Sequence, residues 1–173
     1  MITLRRFSFD DIPLKVRWIN DSENNRYLHY DLPLEESTTF RWFEKNKELQ
    51  SRMDMTILYE GKPVGIIGLL DIDRRKRSAE LYVTIGEVGY KGRGIAGAAM
   101  EQLLRIAYGE LGLHRVFLLT ETENESAIRA YTKFGFVKEG VLRDEKVNRD
   151  GFFVSSCIFS MLKEEFEAYY GSH

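Results

Sequence analysis

Three glycines in the stretch GEVGYKGRGIAGAAM, Gly92, Gly94 and Gly97, stand at the spacing G-x-G-x-x-G. Glycines so placed make either a flexible turn followed by a close-packed helix or a cradle for a phosphate. Residues without a Cβ let successive backbone N–H groups converge on one spot and leave nothing to block an anion. A helix that starts there adds the positive end of its dipole, and IAGAAMEQLLRIAYGEL, rich in Ala and Leu, reads as that helix, with Gly112 as its stop. The loop lacks the GK[ST] ending of a P-loop, and with it the lysine and the magnesium-binding hydroxyl. A dinucleotide site would put its glycines almost directly after a continuously apolar strand. Here EVGYK intervenes, the upstream AELYVTI alternates, and only one β-α-β crossover is present. The loop fits a phosphate or pyrophosphate cradle with no metal requirement.

Other groups invite chemistry less strongly. His29 and His114 are isolated from each other and from Cys157, so they read as packed or exposed residues, and no metal site is expected. Cys157, the only cysteine, lies in an apolar strand with nothing nearby to stabilise a thiolate. The run Arg74-Arg75-Lys76-Arg77 reads as the solvated tip of a hairpin. Downstream, NESAIRAYTKFGF reads as a short helix capped by Asn124 and closed by Gly135.

These strings together resemble the GNAT superfamily of acetyl-CoA-dependent N-acetyltransferases. Its signature Q/R-x-x-G-x-G/A is matched by Lys91-Gly92-Arg93-Gly94-Ile95-Ala96, with Lys91 in place of Gln or Arg. Its second signature, N-x-x-A-x-x-x-Y-x-K-x-G-F, is matched through Asn124, Ala127, Tyr131, Lys133, Gly135 and Phe136. The head VRWINDSENNRYLHYDLP and the tail EGVLRDEKVNRDGFFVSSCIFSMLKEEF look like the branch that includes ribosomal-protein N-terminal acetyltransferases. Spermidine and nucleotide-aminosugar acetyltransferases are similar too. One departure is the acid that members of that branch often carry in the final strand, absent at Ser155-Ser156.

The resemblance implies an acetyl-CoA site in which Lys91 to Ala96 grip the pyrophosphate, with backbone N–H groups around Val83, Thr84 and Ile85 at the thioester oxygen. It implies Asn124, Ala127 and Lys133 along the cofactor and Tyr131 as the acid that protonates the departing thiolate. Glu80, on the opposite strand face from Ala79, Leu81, Val83 and Ile85, is the candidate base, directly or through water. Glu121 is a weaker candidate, expected to be exposed at a strand end. The acceptor would enter between the front helices, where Tyr30, Asp31 and Glu36 could suit a cationic amine. The expected reaction is direct attack of a primary amine, from a protein N-terminus or a small molecule, in a ternary complex. Alternatives are a polyamine, aminosugar or aminoglycoside acceptor, or a non-catalytic acyl-CoA sensor.

The elements that must position these residues are legible in the patterning. MITLRRF alternates as an opening strand, and DDIPLKVRWIN and TTFRWFEKNKEL read as helices. DMTILYE, KPVGIIGLLDI and SAELYVTIG follow as a closely spaced antiparallel meander. HRVFLLTE, then FVKEGVLRDEKVN and FFVSSCIFSML around Asp150-Gly151, supply three more strands, and LKEEFEAYY a last helix. The expected fold is a mixed, mostly antiparallel α/β sheet of about seven strands flanked by helices, and the resemblance adds a splay between the fourth and fifth. The chain of 173 residues suits one domain over 1–170, with Gly171–His173 read as a tag remnant. A net charge of −2 argues against nucleic acid as the main partner, and no apolar run approaches a membrane span. A cytoplasmic location is the default expectation, and a homo-oligomer is compatible with the resemblance.

Overall fold

The computed structural model describes residues 1–171, so Ser172 and His173 of the expected tag remnant lie outside the described residues. Seven strands form one sheet in the order β1-β2-β3-β4-β5-β7-β6. The first four are β1 (Ile2–Arg6), β2 (Met53–Tyr59), β3 (Lys62–Asp73) and β4 (Ser78–Ile85). β5 (Arg115–Glu121), β6 (Val137–Val147) and β7 (Phe153–Leu162) complete it. All neighbours run antiparallel except β4 and β5, which run parallel. The parallel pair holds together only at Ser78↔Arg115, Ala79↔Val116 and Glu80↔Phe117, and then the strands diverge. This is the splay that the resemblance implied.

Alternation sends β4 side chains to two layers. Ala79 and Leu81 join a core with α4 (Ile95–Arg105), whose Ala99, Met100, Leu103 and Leu104 are buried against the sheet. Tyr82 turns to the other layer, built on Phe7, Ile12, Trp18 and Ile66 with Trp42 and Phe43. That layer is carried by α1 (Ile12–Asn20) and α3 (Glu36–Asn46). The polar segment between them is more ordered than its composition suggests, because Asp21 caps a four-residue helix, α2 (Ser22–Asn25), by accepting from the Glu23 N–H. α4 is shorter than its apolar run. At Ile106–Glu110 the backbone widens to a π-turn, where the Leu111 N–H reaches the Ile106 carbonyl, before Gly112 ends the segment at φ +64°. α5 (Glu125–Phe134) starts and stops as expected, at Asn124 and at Gly135 with φ +112°, and α6 (Lys163–Tyr170) closes the chain. Asp73 accepts from the N–H groups of Arg75 and Lys76, which makes the basic run a hairpin tip.

Lys15 of α1 is only 4% exposed, although lysine is seldom fully buried. Its ammonium sits 3.3 Å from the Trp42 ring centre, with Phe7 at 5.8 Å and Tyr30 at 5.7 Å. Burial lowers its pKa to about 8, against the pull of Asp54. Keeping the ammonium charged there costs on the order of 2–3 kcal/mol, partly offset by the cation–π contact. Lys15→Met is therefore expected to raise the unfolding free energy at pH 7 by about 1–3 kcal/mol. The cost falls on the folded state below its pKa of about 8 and disappears once the unfolded lysine also deprotonates, near pH 10.4. Urea melts of both proteins from pH 7 to pH 10.5 should converge as pH rises.

Candidate active site

The site is built on backbone left unpaired by the splay. The Arg77 carbonyl accepts from the N–H groups of His114 and Arg115, which sets the edge of β4 that faces β5. Alternation then turns the N–H and C=O of Ala79, Leu81, Val83 and Ile85 the same way. β5 has departed after Glu80↔Phe117, so Val83 and Ile85 present theirs to the gap. Thr84 does not: its backbone faces β3, opposite Ile66, and only its side chain remains for the site.

A cleft of about 1280 Å³ follows this gap. β4 lines it with Glu80, Val83, Thr84 and Ile85, the glycine loop with Lys91, Gly92, Gly94, Ile95 and Ala96, and α5 with Asn124, Ala127, Tyr131 and Lys133. Two distant sequence motifs thus meet on one cavity. Gly92 and Gly94 hold φ of +73° and +75°, conformations that favour glycine, and a Cβ at either would meet only open space. Gly94 is the N-cap of α4, so the first-turn N–H groups of that helix open toward the same cavity. The Lys91 ammonium donates to the Glu23 carbonyl at 2.7 Å and ties the loop to α2. Arg93 is exposed, with its guanidinium over the Tyr90 ring, and does not line the cleft.

Asn124 accepts from the Ala127 N–H at 3.3 Å as the cap of α5, which leaves its side-chain N–H₂ for another partner. Tyr131 packs edge-on against Phe136, and its ring lies 6.3 Å from that of Phe159. Burial alone pushes its phenol up to about 12, so it keeps its proton throughout the neutral range. Glu80 is held above the usual carboxylate range by its own burial and by the negative charges of Asp71 and Glu145, with Lys146 opposing them. The Ser156 hydroxyl of β7 donates to Glu145 of β6 at 2.9 Å, and Glu145 lines the cleft.

Three expectations for the acceptor side need correction. Asp31 and Glu36 are exposed and outside the cleft, and of that group only Tyr30 lines it. Asn20 causes this by gripping Leu34 twice, through its N–H (2.7 Å) and its carbonyl (2.9 Å), so that Glu36 begins α3 facing solvent. Glu121, expected at an exposed strand end, is only 7% exposed. His29, read as isolated, places Nε2 at 2.7 Å from the Glu121 Oε1, and both line the cleft. The segment carrying His29 crosses the site as a strap. Tyr27 donates to the Glu123 carbonyl at 3.2 Å, and Arg149 donates to the Asn25 carbonyl at 2.9 Å.

The arrangement combines a glycine loop at a helix start, unpaired strand N–H groups, a protonated buried phenol and carboxylates on the opposite wall. It suits a long phosphate-bearing ligand threaded through a sheet, with acyl chemistry at its far end. Comparison with known proteins agrees. The family described as the acetyltransferase (GNAT) domain matches residues 1–137. The prophage-derived N-acetyltransferase YokL of Bacillus subtilis is 28% identical over 172 residues, covering 98% of this chain and 94% of that protein. The spermidine N(1)-acetyltransferase of Escherichia coli K12 is 30% identical over 139 residues, covering 72% of this chain and 74% of that protein. Spermidine N-acetyltransferase from Vibrio cholerae, solved with CoA and spermine, superposes with a TM-score of 0.87 over 95% of this chain and 97% of that one, and at 23% identity it speaks for the fold. The chain belongs to the GNAT acetyltransferase family and is an acetyl-CoA-dependent N-acetyltransferase.

Proposed function

We propose that residues 1–170 form one catalytic domain that acetylates a primary amine of a slender cationic small molecule, of the polyamine class. The observation that carries this reading is Glu80, a half-buried carboxylate on the cleft wall whose environment already concentrates negative charge. A carboxylate held above its usual range by burial and like charges gains most from an arriving ammonium. Glu145 stands with it on the same cleft. The strap over the acceptor end favours a thin chain over a folded protein's N-terminus. Relatives that carry the name spermidine N(1)-acetyltransferase lend support.

Acetyl-CoA supplies the acyl thioester and a thiolate leaving group. In this reading the backbone of Lys91 to Ala96 and the start of α4 hold the pyrophosphate, with Arg93 contributing main chain only. The N–H groups of Val83 and Ile85 face the acyl oxygen, and the Thr84 side chain lines the wall. The amide of Asn124, with Ala127 and Lys133, flanks the arm, and Tyr131 gives its proton to the sulfur. Glu80 anchors the ammonium.

Thiol release from acetyl-CoA tests the reading across spermidine, spermine, an aminosugar, an aminoglycoside and short peptides with free N-termini. The expected result is a kcat/KM for the polyamines at least about tenfold above that for any peptide, the scale of one lost charge-assisted contact. Turnover of peptides alone would overturn the acceptor class, leave the transferase intact and restore the N-terminal reading.

A further inference from the structure

His29 and Glu121 form a buried-carboxylate–imidazole pair on the acceptor wall of the cleft. Glu121 is only 7% exposed and sits at the end of β5, where that strand has left β4. Its side chain shares a sheet face with Phe117 and Leu119, the face that also carries Glu80 across the splay. The strap delivers the imidazole, its Nε2 at 2.7 Å from the carboxylate and its side chain 32% exposed. A neutral imidazole that donates Nε2–H to a carboxylate carries its lone pair on Nδ1. This is the relation of base to orienting acid found in enzymes that must remove a proton near neutral pH.

We propose that His29 is the general base that deprotonates the acceptor ammonium, and that Glu121 is the positioning residue fixing its tautomer and orientation. The inference rests on the acetyl-transfer reading above and assigns a step that Glu80 was expected to perform. Glu80 holds the ammonium, and His29 Nδ1 takes its first proton and passes it to water. The freed amine attacks the acyl carbon, and the C–N bond forms as the C–S bond breaks. The departing thiolate takes the Tyr131 proton, and the phenolate left behind takes the second proton of the acylated nitrogen, which restores the phenol. One ammonium thus loses two protons, one to the thiol and one through His29 to solvent. Glu121 also stabilises the imidazolium that forms. The other charged groups on or bordering the strap include its own Glu23 and Arg26, Lys15, Arg52 and Asp54 around Tyr30, Glu80 on β4, Lys91 in the glycine loop, Glu123 after β5, Glu145 and Lys146 on β6, and Arg149 in the β6–β7 turn.

The test compares wild type with His29→Gln, Glu121→Gln and Glu80→Gln, using the best acceptor of the panel. His29→Gln keeps a donor for Glu121 and should lower kcat/KM for the acceptor about 10²-fold, the usual scale of a general base. It should also erase the acid limb of the pH–rate profile, with acetyl-CoA affinity and Tm unchanged. Glu121→Gln should cost about tenfold in kcat/KM for the acceptor, with acetyl-CoA affinity and Tm unchanged. NMR of the ring resonances gives a readout independent of turnover. The chain has three histidines, the His29 signal is the one missing in His29→Gln, and the share of its Nε2–H tautomer should fall in Glu121→Gln. Glu80→Gln should raise the acceptor KM and leave the acid limb in place. A limb that survives His29→Gln and vanishes in Glu80→Gln would overturn the proposal and return the base to Glu80. An inactive wild type that still binds acetyl-CoA would instead defeat the acetyl-transfer reading itself, and the two failures are distinct.

Discussion

Tyr131→Phe should lower kcat by about 10²-fold or more, with acetyl-CoA affinity unchanged to within about twofold. The substitution removes one oxygen from a ring whose packing against Phe136 and Phe159 does not depend on it. Burial holds the phenol up at about 12, so the wild-type hydroxyl is protonated and available as an acid across the whole working range. Negative charge develops on the sulfur as the C–S bond breaks, so a phenol proton acts where the thiolate departs, not where the amine attacks. Two readouts follow. Isothermal titration with CoA should give matching affinities for both proteins, and single-turnover acetyl transfer should show the loss in the chemical step. Retained turnover in Tyr131→Phe, with an unchanged pH profile, would remove the phenol from its assigned role and leave water as the proton source.

Most of the scaffold was readable from period and punctuation. The alternation in SAELYVTI and the break at Asp150-Gly151 marked strands and a hairpin locally, and the structure has them there. The glycine loop and the α5 motif were also local, since Asn124 and Gly135 cap one short helix. The splay was different in kind. Nothing in AELYVTI or RVFLLTE marks where pairing ends after Glu80↔Phe117, because divergence is a property of two strands and the layers on both of their faces. Only the family resemblance placed it. The acceptor wall was read least well. His29 and Glu121 meet only because the strap is pinned from α2 to β5, and each alone looks like an ordinary polar residue. Glu145 of β6 reaches Ser156 on the neighbouring β7, a contact visible only in the pairing of the two strands. Asp31 and Glu36 misled for the converse reason: adjacency in sequence to Tyr30 did not survive the grip of Asn20 on Leu34. The burial of Lys15 was equally non-local, since the aromatic rings around it come from three separate segments.

The largest expected loss of stability comes from Asp11, which is 1% exposed. One carboxylate oxygen accepts from Arg5 at 2.6 Å, from the Ser8 N–H at 2.9 Å and from Thr56 at 2.8 Å, and the other accepts from Arg5 at 2.7 Å. The group therefore joins β1, the entry to α1 and β2. Asp11→Ala leaves the Thr56 hydroxyl and the Ser8 N–H without their acceptor and the Arg5 guanidinium without its counter-charge. Removing one partner of a buried pair costs about 3–5 kcal/mol. Arg5 is 40% exposed and can rehydrate, so the lower end applies. About 3 kcal/mol corresponds to a Tm drop of roughly 6–12 °C for a chain of this size. The pH dependence has a definite sign. Burial works to raise the Asp11 pKa, but the hydrogen bonds from Arg5, Ser8 and Thr56 outweigh it and the net shift is downward. A carboxylate depressed in the folded state stabilises fully above its unfolded value near pH 3.9 and loses that contribution as pH falls through the folded value. Melts between pH 7 and pH 2.5 should show Asp11→Ala losing less stability on acidification than wild type. α1 carries Lys15 and Trp18, and Trp18 donates to Glu87 just ahead of the glycine loop. Loosening the Asp11 network should therefore raise the acceptor KM at temperatures approaching the lowered Tm, while kcat well below it stays within about twofold of wild type, since no reacting atom touches Asp11. Equal acid sensitivity in the two proteins would assign the stability to packing around Phe7 and Ile12 rather than to the carboxylate.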